Sequence, residues 1–205
     1  MIRVIDYGLG NVSAFLSVYK SLRIEAGLAR HAAELEDATK LVLPGVGAFD
    51  QAMHMLDVSG MRGTLDDLVL GRKLPVLGVC VGMQILALSS EEGKAAGLGW
   101  IDAKVKKLRS LSSSDLLLPH MGWNNVQPVA GHPLFSGMAA NSLYYFLHSF
   151  YFDCARSEDV VAVTDYGLKF SCAVQADNIC GVQFHPEKSH LAGVQLLKNF
   201  AELAC

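Results

Sequence analysis

Cys80 is the residue of this chain best placed for chemistry, because it lies in the frame Gly78-Val79-Cys80-Val81-Gly82 directly after an apolar run. A Gly-x-nucleophile-x-Gly frame after a strand predicts a nucleophile elbow, where the chain turns sharply from strand into helix. The first N–H groups of that helix would face the thiol and favour the reactive thiolate. The alternative is a buried structural cysteine in a Gly-rich turn, since free cysteines are commonly buried.

His185 and Glu187 supply the two further groups that a thiol nucleophile needs. They follow the apolar segment 179–184 and are separated by Pro186. Residues two apart in extended backbone point the same way, so both side chains can share one face. A cysteine nucleophile requires a base to take its proton and a third group to orient that base. We therefore predict a triad of Cys80, His185 and Glu187, the alternative being a surface histidine beside a solvated glutamate.

An alternation of strands and helices must position these residues. Apolar runs predict strands over 2–7, 24–29, 40–43 and 74–79, and helical spacing predicts helices over 11–22, 32–38, 49–56, 61–70 and 81–88. This order is typical of a three-layer α/β fold with a mostly parallel central sheet. Short strand candidates fill the second half and predict an antiparallel extension, followed by a closing helix over 191–203. The Ser-rich segment 109–115 is predicted to be a mobile loop.

Length and composition indicate one compact domain over residues 1–205, with 51% hydrophobic and 18% charged residues. A net charge of -3 argues against a nucleic-acid partner. The uncharged stretch between Lys73 and Glu91 is interrupted by Pro and Gly, so we interpret it as a buried strand and helix and expect no membrane association. The five cysteines contain no C-x-x-C pair, which argues against a zinc site and for a reducing compartment. The N-terminus has no signal-peptide layout, so we expect the protein in the cytoplasm.

Two motifs carry a family resemblance. Segments 78–84 (GVCVGMQ) and 181–187 (GVQFHPE) resemble the signature motifs of the class I, or triad, glutamine amidotransferases. Four further segments resemble one subgroup of that family, the glutaminase subunits of imidazole glycerol phosphate synthase in histidine biosynthesis. These segments are 6–11 (DYGLGN), 43–49 (LPGVGAF), 119–124 (PHMGWN) and 146–149 (FLHS). The resemblance runs from the first strand to the last helix.

Acyl transfer from glutamine passes through an oxyanion that needs two aimed donors. The Val81 N–H, directly after the nucleophile, is one candidate, and the Gly-rich segment at Val46 and Gly47 is the other, although Pro-Gly also marks ordinary turns. The resemblance implies that Gly45, Gln84, Glu92 and Ser149 bind the substrate, with Glu92 meeting the α-ammonium unless the adjacent Glu91 does so. It further implies a partner interface at the following loop residues: His120, Met121, Trp123 and Asn124.

The activity implied by the resemblance is hydrolysis of L-glutamine to L-glutamate and ammonia. It implies a heterodimer in which a (β/α)8-barrel synthase subunit receives the ammonia, and it implies no cofactor and no metal. Val81, where Leu is more usual, together with segment 97–100 (GLGW), is similar to paralogues that serve surface-polysaccharide sugar amidation. An inactive regulatory partner and a Cys-dependent peptidase are the alternatives of other classes. Gly8-Leu9-Gly10 could open a dinucleotide site, but a tight turn is the simpler interpretation because Ser13 replaces the third Gly.

Overall fold

The computed structural model describes residues 1–109, 116–139 and 141–203. Residues 110–115 of the predicted mobile loop, and Cys205, lie outside these ranges. The strands are β1 (Ile2–Ile5), β2 (Ala26–Ala29), β3 (Lys40–Gly45), β4 (Val76–Cys80), β5 (Ser89–Ser90), β6 (Ala103–Lys107), β7 (His120–Asn125), β8 (Gln127–Pro128), β9 (Leu143–His148), β10 (Phe150–Cys154), β11 (Val160–Asp165), β12 (Lys169–Ala176) and β13 (Ile179–Val182). The α-helices are α1 (Val12–Ser21), α2 (Phe49–Val58), α3 (Arg62–Asp66), α4 (Val81–Gln84) and α5 (His190–Glu202).

A large sheet holds the core of the molecule. Its central strands β2, β1, β3, β4 and β13 are parallel in that order, and the residues of β4 and β13 are all buried. Strands β12, β10 and β6 continue the sheet with antiparallel pairing from β13 onwards. The predicted α/β fold with a parallel core and an antiparallel extension is confirmed.

Strands β7 and β9 form a separate two-stranded antiparallel sheet, in register from His120 opposite His148 to Asn125 opposite Leu143. The prediction of a loop at this segment was wrong. Strand β7 does not stand out as an apolar run because it contains Gly122 and two asparagines. Its extended conformation is stabilised by pairing with the more apolar strand β9.

Two element boundaries near Cys80 differ from their predictions. Helix α4 ends at Gln84 instead of residue 88, because the following residues exchange backbone hydrogen bonds with segment 97–103, for instance Leu88 N–H with the Ala103 carbonyl. Strand β3 continues through Pro44 to Gly45. The pairing of β3 with β1 ends at Val42, before Pro44. Pro44 lacks an N–H, but no hydrogen bond to β1 is lost because β1 no longer pairs with β3 at that position. None of the helices in the described ranges is long and apolar enough to cross a membrane.

Candidate active site

Cys80 ends strand β4 with φ 56° and ψ -115°, a left-handed conformation that costs a non-glycine residue energy. Two neighbouring glycines make this turn possible. A Cβ atom on Gly82 would lie 1.9 Å from the Leu43 carbonyl oxygen, and one on Gly78 would lie 2.7 Å from the Gly82 carbonyl oxygen. The sharp strand-to-helix turn predicted at Cys80 is therefore present, packed tightly against strand β3.

His185 and Glu187 meet Cys80 because their strands are neighbours. Strand β13 runs parallel to β4 with Val182 opposite Val79, so the residues that follow both strands gather at one edge of the sheet. His185 Nδ1 lies 2.8 Å from Glu187 Oε1, and both side chains are 3% exposed. Residues 186–188 form a short 3₁₀ turn instead of extended backbone, and this turn brings the Glu187 carboxylate to the His185 ring.

The charge state of His185 follows from this geometry. Burial alone would lower the pKa of His185, but hydrogen bonds and charge interactions with Cys80 and Glu187 outweigh it and raise the pKa to about 10. The imidazole is therefore protonated at neutral pH.

A cavity of about 310 Å³ opens directly over Cys80. Three kinds of residue that the sequence singles out share its wall: the triad members Cys80 and His185, the oxyanion candidates Val46, Gly47 and Val81, and the substrate candidates Gln84, Glu92 and Ser149. A pocket of this size with a few converging polar groups suits a small polar molecule.

The oxyanion candidates directly follow two paired strands, β3 and β4. Gly45 pairs with Cys80 across β3 and β4, and a Cβ atom on Gly45 would lie 2.4 Å from the Gly82 nitrogen. Gly45 therefore packs behind the elbow, whereas Val46 and Gly47 reach the cavity. Gly47 has φ 90°, which glycine adopts at little cost. Tyr7 holds the start of this segment, since its hydroxyl donates to the Pro44 carbonyl at 2.8 Å.

The two adjacent glutamates point to different places. Glu92 lines the cavity, and its Oε2 accepts from the Phe49 N–H at 2.8 Å, at the start of α2. Glu91 instead accepts from the Lys107 N–H at 2.9 Å, on strand β6. The Asp50 carboxylate fixes the loop after Glu92 by accepting from the Lys94 N–H at 2.9 Å. Of the two, Glu92 is the one positioned to meet a bound molecule.

Comparison with known proteins decides the family. The family model described as glutamine amidotransferase class-I matches residues 3–203. The chain belongs to that family. It is 53% identical to "Imidazole glycerol phosphate synthase subunit HisH" of Bdellovibrio bacteriovorus over 99% of this chain and 100% of that protein. It is 52% identical to the protein of the same name from Leptospira interrogans, with the same coverage of both chains. A solved structure described as a glutamine amidotransferase is 18% identical and superposes with a TM-score of 0.75, covering 98% of this chain and 99% of that one, which shows a shared fold.

Gln183 is a residue of this amidotransferase site that sequence reasoning gave no role. Its side chain is fully buried, and its Nε2 contacts Cys80 Sγ at 3.8 Å. Gln84 Nε2 donates to Gln183 Oε1 at 3.0 Å and to the Phe150 carbonyl at 3.1 Å. The available signal in the sequence was its position two residues before His185, since alternate residues of an extended segment share a side. His148 and Lys188 also line the cavity without having been predicted to do so.

The four residues predicted at the partner interface do not share one surface. Met121 is 65% exposed and Trp123 is 45% exposed, on the outer face of the sheet of β7 and β9. His120 is 3% exposed and lies on the opposite face, where its side chain is covered by the rest of this chain. Asn124 alternates to the same inner face and bonds to His120. In an antiparallel pair, alternate residues face opposite sides, and this rule separates the four.

The Gly8-Leu9-Gly10 turn has a packing role in this site. Both glycines have positive φ, and a Cβ atom on Gly10 would lie 2.9 Å from Pro44 Cβ. The segment therefore packs against the start of the oxyanion candidate segment, as the tight-turn interpretation requires. Across the described ranges, no group of three or more His, Cys, Asp or Glu side chains is arranged to hold a metal ion.

Proposed function

We propose that this protein is the glutaminase subunit of imidazole glycerol phosphate synthase, with Cys80 as nucleophile, His185 as acid and base, and Glu187 as the group that orients His185. The single observation that carries this proposal is the position of Cys80 on a strained elbow, in one cavity with a charged His185 that Glu187 holds at 2.8 Å. The full-length relatives at 53% and 52% identity support the choice of this synthase.

The first half of the reaction forms a thioester. The Cys80 sulfur attacks the side-chain amide carbon of glutamine, and the negative charge moves to the amide oxygen. The backbone N–H of Val81 and one from the segment of Val46 and Gly47 stabilise that oxygen, which adds rate because the donors are fixed before the charge develops. His185 then gives its proton to the amide nitrogen, the C–N bond breaks, and ammonia leaves.

The second half regenerates the enzyme. Neutral His185 takes a proton from water as the water oxygen attacks the thioester carbon. The C–S bond then breaks, glutamate leaves, and the sulfur carries negative charge again beside a protonated His185. Glu92, held over the cavity by the Phe49 N–H, meets the α-ammonium of the substrate, while Gln84 and Ser149 complete the wall around its amino-acid end.

The outer face of the sheet of β7 and β9 is the surface we assign to the partner. Four apolar side chains are exposed on this face: Met121, Trp123, Leu143 and Leu147. Clusters of exposed apolar groups are typical of interaction sites. Leu147 also lines the cavity, so the surface lies next to the place where ammonia is released. We propose a heterodimer with a synthase subunit of (β/α)8-barrel type, located in the cytoplasm in keeping with the free cysteines.

Segment 97–100, which is similar to sugar-amidating paralogues, is used in packing. A Cβ atom on Gly97 would lie 2.0 Å from the Ala87 carbonyl oxygen, and Trp100 Nε1 donates to Asp66 at 2.7 Å. Neither contact involves the cavity. This segment therefore gives no reason to prefer the sugar-amidating activity.

The proposal is tested by glutamate release from the complex of this protein with its synthase subunit. Replacing Cys80 with Ser should leave folding unchanged, because the substitution is nearly isosteric, and should remove glutamate release. Cys154→Ser is the matched control, since this half-buried cysteine lies on β10 outside the site and the variant should keep full activity. Glutamate release by Cys80→Ser at the wild-type rate would refute the proposal.

A further inference from the structure

Two buried imidazoles join the inner face of the sheet of β7 and β9 to the glutamine cavity. His120 and His148 are opposite each other in the strand register, and His120 Nδ1 lies 3.0 Å from His148 Nε2. Both residues are buried, and only His148 lines the cavity. The catalytic steps described above use neither ring.

The hydrogen bonds around the pair have a single consistent direction. His148 Nδ1 lies 2.7 Å from the Phe150 carbonyl, which can only accept, so Nδ1 carries the proton and Nε2 accepts. His120 Nδ1 must then donate to His148, which leaves His120 Nε2 to accept from Asn124 Nδ2 at 3.3 Å. The amide of Asn124 is itself oriented, because Nδ2 also donates to the Asp165 carbonyl at 2.8 Å.

This direction requires both rings to be neutral, and burial keeps them so. Burial lowers the pKa of His120 to about 4 and the pKa of His148 to about 3. The His120 ring also has little freedom to turn, since it stacks between Phe146 at 4.7 Å and Tyr166 at 4.0 Å, with interplanar angles of 21° and 22°.

The chain of hydrogen bonds ends in the wall of the cavity. The Phe150 carbonyl accepts from His148 and also from Gln84, whose amide leads through Gln183 to the Cys80 sulfur. One wall of the cavity is formed by residues 147–150. His148 is therefore part of this wall and shares its carbonyl acceptor with Gln84.

We propose that His120 is a positioning residue for glutamine binding, which holds His148 and the wall formed by residues 147–150 through one directed hydrogen bond and does not itself touch the substrate. This inference rests on the proposed glutaminase function. Loss of the bond should weaken glutamine binding and leave the chemical step largely intact, because Glu187 orients His185 and the backbone contacts at Gly78 and Gly82 fix the turn at Cys80. Without the bond, glutamine binding must itself order this wall, and the net contribution of one hydrogen bond corresponds to an increase in KM of roughly tenfold.

The test compares His120→Leu with His120→Asn in the complex with the synthase subunit. Leu and Asn have almost the same shape, and both lose the ring stacking, but the Asn Nδ2 can donate from the place of the His120 Nδ1. We expect His120→Leu to raise the KM for glutamine about tenfold with kcat within about threefold of wild type. His120→Asn should return KM to within about threefold of wild type.

Equal KM values for the Leu and Asn variants, or a loss confined to kcat, would overturn the inference. Nitrogen-15 NMR of the wild-type imidazoles gives a measurement that needs no variant to fold: it should find His120 and His148 both protonated on Nδ1, and a His120 ring protonated on Nε2 would also overturn it. A wild-type complex without glutaminase activity would refute the proposed function and this inference together, whereas an active wild type with equal variants would refute this inference alone.

Discussion

The charge on His185 depends on its interactions with Glu187, two residues along the chain, and with Cys80 at the end of β4. Glu187 Oε1 lies 2.8 Å from His185 Nδ1, and the sulfur of Cys80 shares the cavity with the same ring. These contacts outweigh burial and raise the pKa of His185 to about 10. The ring therefore keeps its proton through the neutral range and loses it as the pH rises through about 10.

Replacing Glu187 with Gln removes the carboxylate that stabilises the imidazolium, so the pKa of His185 should fall. NMR titration of the His185 ring measures this shift. The kcat of Glu187→Gln should fall by less than that of His185→Ala, for which the loss of an acid-base group predicts ~10²–10⁴-fold. An unchanged titration midpoint together with unchanged kcat would contradict the assigned role of Glu187.

How far the sequence predicts individual residues depends on where their partners lie in the chain. The contact between His185 and Glu187 was predictable because the two residues are close in sequence, and the turn at Cys80 was predictable because its glycine frame is itself a signal. The role of Gln183 depends on Gln84, which is distant in the chain and reaches it only in the folded sheet. The burial of His120 depends in the same way on Phe146 and Tyr166, which cover its ring.

The elbow works as an element because β3, β4 and α4 are in contact without intervening side chains. Gly45, Gly78 and Gly82 are the contact points, and the nearest atoms to a Cβ added at Gly82 are backbone atoms of β3. The sequence predicts this turn but not the length of α4, since the helix ends where segment 97–103 competes for its backbone hydrogen bonds. The hydrogen bonds from segment 97–103 cannot be predicted from the helical spacing of residues 81–88.

Gly82→Ala should therefore be strongly destabilising, because its Cβ would meet the Leu43 carbonyl oxygen at 1.9 Å and neither backbone can move away freely. Overpacking of this kind costs about 1–3 kcal/mol. Thermal unfolding measures the loss. Gly63→Ala is the matched control, since a Cβ atom there meets no atom within 4 Å and Ala favours the helix α3. Equal melting temperatures for the two variants would show that the elbow can relax.

In the whole molecule, the cavity where ammonia is released lies beside the exposed apolar face of the sheet of β7 and β9. Ammonia released into water is lost to the acceptor, so we expect slow glutamine hydrolysis by the isolated chain and strong stimulation when the partner carries its acceptor. The segment of Gly45, Val46 and Gly47 is the element we expect to respond, because glycines on both sides let its peptides turn at low cost. Partner binding would then favour the orientation that stabilises the oxyanion.

Gly47→Pro should abolish this stimulation while leaving complex formation intact. Pro fixes φ near -65°, whereas Gly47 has φ 90°, and it also removes an N–H that is a candidate oxyanion donor. Loss of one such donor can cost ~10²–10³ in rate. Glutamate release with and without partner and acceptor measures the effect. Full activity of the isolated wild-type chain would contradict the gating idea, since the oxyanion site would then be complete without a partner.

Covalent labelling tests the central claim of a glutamine-specific thiol at Cys80 most directly. A glutamine analogue whose side-chain amide is replaced by a chloromethyl ketone is incubated with the complex, and the modified peptide is found by mass spectrometry. We expect one adduct, on Cys80, formed more slowly when excess glutamine is present, with Cys154, Cys172, Cys180 and Cys205 unmodified. An adduct on another cysteine, or labelling of Cys80 that glutamine does not slow, would contradict the account.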